Sequence, residues 1–506
     1  MSPPPEYDIA IIGGGVNGCG IARDAAGRGL SVFLCEQGDL AQATSSASTK
    51  LFHGGLRYLE YFEFRLVREA LVEREVLLKA MPHISWPMRF VLPHHSGLRP
   101  AWMLRIGLFL YDHLGGRRIL PPARTLDLSK DPAGRPLKAE YRKAFEYSDC
   151  WVQDSRLVVL NARDAAERGA TIAVGTLCRE ARREDGVWRL MLEGPETGTE
   201  SAIRARALVN AGGPWVEQII RERIGIRTDN GIRLVRGSHI VVRRLFKHDR
   251  AYIFQNADER VVFAIPYEED YTLIGTTDRD HEGPPGEAVC TDEEASYLCA
   301  AVSEYFETPV TVDDIVWTYS GVRPLYDDGS DSATEATRDY VLTVDGGSNE
   351  APVLNIFGGK ITTYRRLAEA ALEELADYFP EMDAPWTAGV ALPGGDFGVD
   401  QVDRLVRELR QAHPFVDEKQ ARRLVRAYGT EAAVMLSGAR ERPDLGRDFG
   451  AGLSEAEVRW LMTHEWARSA EDVVWRRSKL GLAMTPAQVD ALGEWMKAQH
   501  VAATSR

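Results

Sequence analysis

Two glycine turns, set far apart, carry the first chemical signal in this 506-residue chain. Gly13, Gly15 and Gly18 stand in "YDIAIIGGGVNGCGIARDAAGRGLSVFLCE" with the spacing of a dinucleotide-binding turn. There the first glycine permits the tight turn, the second lets a pyrophosphate approach the backbone, and the third lets the helix pack on its strand. The phosphates then sit at the positive helix N-terminus. Glu36, 18 residues after Gly18, is placed to accept hydrogen bonds from a ribose and would repel a 2′-phosphate, which argues against NADP. Beyond it, "LAQATSSASTKLFHGGLRYLE" brings Thr44, Ser45, Ser46 and Ser48, short hydroxyls that suit an extended polar ligand. The second turn comes only at "FGGKITTYRR" (357–366), where Gly358 and Gly359 precede Lys360, Ile361 and Thr362. A glycine turn tipped by a cation suits the same flat, anionic cofactor as the first.

These residues need elements to hold them. Ile9 to Ile12 is an apolar run without alternation, as in a parallel strand buried on both faces. A helix follows from about Asn17 to Gly27, then a strand from Val32 to Cys35. Arg65 to Lys79 has helical spacing. Strands are expected at Val187–Leu192, Arg204–Ala211, Arg236–Val242, Val261–Pro266 and Tyr271–Gly275, a density that suggests a second sheet. A helix is expected from Ile361, a turn-rich linker at 391–398, and helices from there to the end. A nicotinamide-dependent enzyme would continue with regular strand–helix units after the first turn; the Ser/Thr run and "HGGLRYLE" break that rhythm.

Composition narrows the class. Length suggests two or three domains. With a net charge of −14, general nucleic-acid binding is not expected. Six cysteines, at 19, 35, 150, 178, 290 and 299, form no CxxC pair, so no zinc site or iron–sulfur cluster is expected and a reducing, cytosolic setting is. The N-terminus lacks the basic region and cleavage site of a signal peptide. No run reaches the roughly 18–20 apolar residues of a membrane span.

The motifs "IIGGGVNGCGIARDAAGRGLSV", "TSSASTKLFHGGLRYLE", "FEYSDCWVQDSRLV", "LVNAGGPWV", "RGSHIVV", "IGTTD", "DDIVWTYSGVRPL", "FGGKITTYRRLAE" and "LMTHEWARSAEDVVWRRSKLGL" together resemble the aerobic, FAD-dependent glycerol-3-phosphate dehydrogenases of bacteria, nearly end to end. The resemblance implies an α/β fold: a Rossmann-like FAD-binding domain of the glutathione-reductase type, interleaved with a D-amino-acid-oxidase-type substrate domain over 1–390, and a C-terminal helical cap over 391–506. It implies oxidation of sn-glycerol 3-phosphate to dihydroxyacetone phosphate by hydride transfer to FAD, with electrons passed on to ubiquinone or menaquinone.

Such a substrate is a small dianion bearing a secondary alcohol. Its phosphate calls for arginine, whose planar fork binds phosphate oxygens in pairs. Arg323 in "SGVRPL" and Arg338 in "ATRDY" match motif arginines and are expected on the phosphate; Arg57, with Tyr58 beside it, is expected on the other substrate oxygens. The hydroxyl proton needs a base. His239 in "RGSHIVV" is preferred, because a free imidazole titrates near pH 6.5; Lys360 or Arg323 could orient or share that proton. Gly358, Gly359 and Lys360, with the helix N-terminus and the donors Thr362 and Thr363, are expected at the pyrimidine edge of the flavin, where negative charge appears on reduction. Gly212 in "LVNAGGPWV" matches a second contact with the nucleotide half. "GTTD" (275–278) is expected to shape the substrate pocket and His53 to lie near the flavin, with no covalent link assumed.

Residues 86–118, "WPMRFVLPHHSGLRPAWMLRIGLFLYDHLGGRR", hold five arginines, three histidines and a single acid, interleaved with large apolar residues. That pattern is expected to lie peripherally on the inner face of the cytoplasmic membrane. A homodimer is expected. Two other readings compete: an oxidase passing electrons to oxygen, acting on glycerol phosphate or an amine, and a non-catalytic FAD-binding membrane scaffold.

Overall fold

A computed structural model describes residues 4–194, 198–256, 258, 260–327, 339–347 and 350–504. Two sheets alternate along the chain. The first runs, in spatial order, Val341–Asp345, Val353–Phe357, Thr199–Asn210, Glu6–Ile12, Val32–Glu36 and Thr171–Val174, with Val187–Gly194 and Leu177–Glu184 extending it as antiparallel strands. Its central strands are parallel: Ile9 to Ile12 pairs with Val32 to Cys35 on one side and Ala207 to Asn210 on the other. Ile9, Ala10 and Ile11 are fully buried because the helices Val16–Gly27, Asp154–Glu167 and Tyr364–Glu374 cover one face of this strand and the strands Leu177–Glu184 and Val187–Gly194 cover the other. Each of the two isoleucine side chains contributes about 1.5–3 kcal/mol.

The second sheet has ten strands among the described residues. Near one edge lies the long strand Ile232–Arg243, paired with Tyr271–Gly275 on one side and the edge strand Ile315–Tyr326 on the other. One face carries the helix Asp292–Ser303, which begins with a capping box at Thr291 and Glu294. The other face packs against the helices Phe64–Ala80 and Ala101–Leu114. The last helices, from Val402 onward, build an apolar core of their own around Leu424, Val425, Leu461, Val473 and Leu492.

Two sequence expectations are corrected. Residues 86–94 do not belong to a surface-lying segment: Ser85–His94 is an inner strand paired with both Lys143–Val152 and Ala251–Gln255. Arg89, which made it look amphipathic, is matched inside the sheet by Glu146 at 2.8 Å. Nor does the helix after the second glycine turn begin at Ile361. Residues 361–363 form a single 3₁₀ turn and the α-helix is Tyr364–Glu374, because three β-branched residues in succession resist an α-helical first turn.

Candidate active site

The nucleotide turn has the geometry its glycines require. Gly13 has φ +115°, open to glycine alone, and a Cβ there would lie 2.6 Å from the Ala211 carbonyl oxygen. A Cβ on Gly18 would strike the Gly13 carbonyl, so this residue brings the helix Val16–Gly27 down onto the strand. At Gly15 a Cβ would meet nothing closer than the Ser45 hydroxyl at 3.3 Å, leaving the backbone open to a ligand. The Glu36 carboxylate accepts from the Gly14 and Gly38 amides at 2.8 Å each, which fixes its position and leaves lone pairs for ribose hydroxyls.

A cavity of about 1030 Å³ runs from this turn. That volume stands at the upper end of small-molecule sites, roughly 300–1,000 Å³, and suits a dinucleotide. Gly13, Gly15, Glu36, Thr44, Ser45, Ser46, Gly212, Gly358 and Gly359 line it; Gly18, Ser48, Lys360, Ile361 and Thr362 do not. The hydroxyls of 44–48 are more committed to the protein than their polarity suggested. Thr44 donates to the Val322 carbonyl at 2.6 Å, Ser46 to the Ala43 carbonyl at 3.2 Å, and Ser45 accepts the Val16 amide at 3.0 Å. Ser48 bonds Asp154 at 2.7 Å, because Asp154 and Lys50 form a buried ion pair at 2.9 Å that ties the segment down.

The two glycine turns meet. Asn17, in the first, donates to the Gly358 carbonyl at 3.3 Å. The second turn in turn meets the 53–58 loop: the His53 amide donates to the Thr362 hydroxyl at 3.2 Å, and the Lys360 ammonium lies 4.1 Å from the centre of the Tyr58 ring. Arg57 is half-buried on that loop, with no ion pair to any described residue.

Strand register assembles the rest. His239 stands opposite Tyr319 on one side and Gly275 on the other, while Gly237 faces Gly321 and Val235 faces Arg323. Residues two apart share a face, so Gly237, His239, Tyr319, Gly321 and Arg323 lie together. The His239 ring stacks on Tyr319 at 4.6 Å with planes 10° apart, and its Nε2 pairs with the Thr49 hydroxyl at 2.9 Å. Burial, and then the Lys50 and Arg323 cations, hold this imidazole well below its usual pKa, so it is neutral. Its Nδ1 has no hydrogen-bond partner. When Thr49 accepts the Nε2 proton, Nδ1 is left as a free acceptor.

Arg323 folds back over Gly237. It donates to the Thr277 carbonyl at 2.7 Å and pairs with Asp278 at 2.5 Å. The Thr277 hydroxyl is anchored to the buried Glu294 carboxylate at 2.8 Å, which also takes the Ser238 hydroxyl at 3.0 Å. A Cβ at Gly237 would sit 2.6 Å from the Arg323 guanidinium and 2.8 Å from the Thr276 hydroxyl. Gly237→Ala is therefore expected to displace Arg323 and raise KM about tenfold or more, a loss of ~1.4 kcal/mol or more; steady-state kinetics against the parent chain check it.

Arg338 lies outside the described residues. Thr49, Tyr319 and Gly237 carry site geometry that the residue-type reading did not assign, and Asp278, expected only as part of a pocket-shaping turn, pairs with Arg323. All four were inside quoted motifs, but only the folded arrangement shows what they touch.

Comparison with known proteins agrees with this arrangement. Residues 8–365 match the family model described as FAD dependent oxidoreductase, and residues 385–500 match that of the C-terminal domain of alpha-glycerophosphate oxidase. The chain is 53% identical to glycerol-3-phosphate dehydrogenase of Pseudomonas aeruginosa, over 98% of this chain and 96% of that one. It is 50% identical to D-erythritol 1-phosphate dehydrogenase of Brucella abortus, over 98% of each. The crystal structure of glycerol-3-phosphate dehydrogenase from Bacillus halodurans complexed with FAD superposes with a TM-score of 0.78 at 25% identity, covering 98% of this chain and 90% of that one. The chain belongs to the FAD-dependent oxidoreductases and, within them, to the glycerol-3-phosphate dehydrogenase family.

Proposed function

We propose that this protein oxidises sn-glycerol 3-phosphate to dihydroxyacetone phosphate and passes the electrons to a membrane quinone. One observation carries the reading: a guanidinium, Arg323, is braced by Asp278 and Thr277 on the same strand face as a neutral, buried histidine. FAD, when bound, supplies the two-electron acceptor for the C2 hydride. Arg323 holds the phosphate in place, with Arg338 assigned beside it from the sequence motif. Arg57 and Tyr58 bind the remaining oxygens. His239 takes the hydroxyl proton at Nδ1, which its lowered pKa keeps unprotonated at neutral pH. Lys360 orients the alcohol and lends positive charge beside the second glycine turn. The separate core of the last helices supports treating 391–506 as a domain distinct from 1–390.

A second reading is favoured by the Brucella relative: a longer polyol phosphate with the same secondary alcohol and phosphate. Comparing kcat/KM for glycerol 3-phosphate and D-erythritol 1-phosphate decides between them; a preference for the erythritol ester overturns the glycerol assignment. Peroxide yield against quinone-analogue reduction separates the dehydrogenase from an oxidase, and stoichiometric peroxide sinks the quinone role.

Membrane attachment is assigned to the helix Ala101–Leu114 and the turn before Phe64. Trp102, Ile106 and Phe109 project at helical spacing and are 62%, 53% and 61% exposed, beside Phe62 at 78%. No described helix is long and apolar enough to cross a bilayer. An exposed apolar face flanked by Arg99 and Arg105 suits the interface of an anionic bilayer. Trp102→Ser with Phe109→Ser is expected to free the protein from anionic vesicles without lowering its Tm, since neither side chain is buried; co-sedimentation equal to the parent refutes the anchor.

A further inference from the structure

The cofactor cavity is not closed by the first 390 residues alone. Glu471, Val474, Trp475, Arg476, Lys479 and Val489 of the C-terminal helices form part of its wall. They reach it through three contacts, two with segments beside Glu36 and one with the strand Ile315–Tyr326.

The first contact is on Asp39, three residues past the ribose-binding Glu36. Arg477 grips its carboxylate with two bonds of 2.7 Å each, and Arg476 adds a third at 2.5 Å. All three residues are buried. The second is on the turn at 175–176, whose amides hang from the carbonyls of Gly38 and Glu36 at 2.9 and 2.7 Å. Arg468 packs so closely on Gly175 that any side chain there would strike its guanidinium. The third is a stack of Trp475 on Trp317, ring centres 4.4 Å apart and planes 16° apart.

From these we infer that the C-terminal domain is a clasp for FAD: it fixes the two loops around the adenosine and supplies the outer wall of the cavity, so that docking of this domain and retention of the cofactor are coupled. Glu36 and its neighbours bind the ribose, and a loop held by two buried arginines presents that carboxylate without the entropic loss of ordering it. The domain has anchors elsewhere. Arg156 pairs with Glu465, Arg163 with Glu431 at 2.6 Å, and Arg426 covers Trp86 at 4.3 Å. Cutting the clasp therefore leaves the domain attached. The coupling is reciprocal: if the domain holds FAD, FAD holds the domain.

The test needs no substrate. Holoenzyme is diluted and released flavin is read by its fluorescence. Asp39→Asn is expected to release FAD about tenfold faster than the parent, as suits loss of a charge-assisted contact; if that variant does not fold, Arg468→Ala stands in for it. Independently, hydrogen exchange of the unmutated chain is compared with FAD bound and with FAD stripped. Residues 468–479 are expected to exchange more slowly with FAD bound, while the helix Val402–Ala412, which lines no part of the cavity, is unchanged. A release rate equal to the parent's, or identical exchange of 468–479 in both forms, overturns the inference.

Discussion

Arg323→Ala is expected to lower kcat/KM for glycerol 3-phosphate by about two to three orders of magnitude, most of it as a rise in KM. A phosphate held by an arginine fork gains two charge-assisted hydrogen bonds, each contributing roughly 1.5–3 kcal/mol. That contact is made equally in the ground and transition states, so its loss appears in KM before kcat. Truncation also leaves Asp278 facing the phosphate, with Thr277 no longer spanned by the guanidinium, and a carboxylate repels the dianion. Arg323→Lys keeps the charge but loses the fork, so its KM should fall between the two. An unchanged KM in the alanine variant removes Arg323 from the phosphate.

The second large effect is expected at His239. Replacing it with Ala or Gln should lower kcat by about 10²–10⁴, the usual worth of a positioned base, while FAD stays bound, because His239 does not line the cofactor cavity. The pH dependence has a definite sign. Burial and the Lys50 and Arg323 cations hold the folded imidazole well below its ordinary pKa, whereas the unfolded chain takes up a proton near pH 6.5. Below that pH the unfolded state binds more protons, so stability is intact above about pH 6.5 and falls as pH drops toward the folded pKa. His239→Gln should flatten that loss, read as Tm against pH between about 4 and 7. For the same reason the acid limb of kcat/KM in the parent should lie below pH 6.5. Full activity in His239→Gln would pass the proton to Lys360 or to water.

The nucleotide half of this protein is local in sequence, which is why it can be read there. Gly18 and Glu36 act within one strand–helix–strand unit, answering to the Gly13 carbonyl and to the Gly14 and Gly38 amides, while Gly13 answers to a distant residue, Ala211, just past the end of the adjoining strand. The substrate half depends on pairing between strands some eighty residues apart. Nothing near His239 announces that Tyr319 lies under its ring, or that Gly237 must stay small for Arg323. The segment after Trp86 misled for a different reason. An arginine in a strand reads as exposed, and only the partner strand supplies the Glu146 that makes its burial tolerable. The hydroxyls of Thr44 and Ser48 were legible as polar but not as already spoken for, since their partners, Val322 and Asp154, come from distant parts of the chain.

Reduction of the bound flavin without oxygen tests the central claim most directly. Purified holoenzyme under argon is titrated with sn-glycerol 3-phosphate, with glycerol, and with glycerol plus inorganic phosphate, and the loss of yellow colour is followed. Complete, saturable bleaching by the phosphate ester alone is the expected result. Bleaching by glycerol as readily as by the ester, or a flavin that stays yellow in all three, would contradict an alcohol oxidation selected by the charge of Arg323.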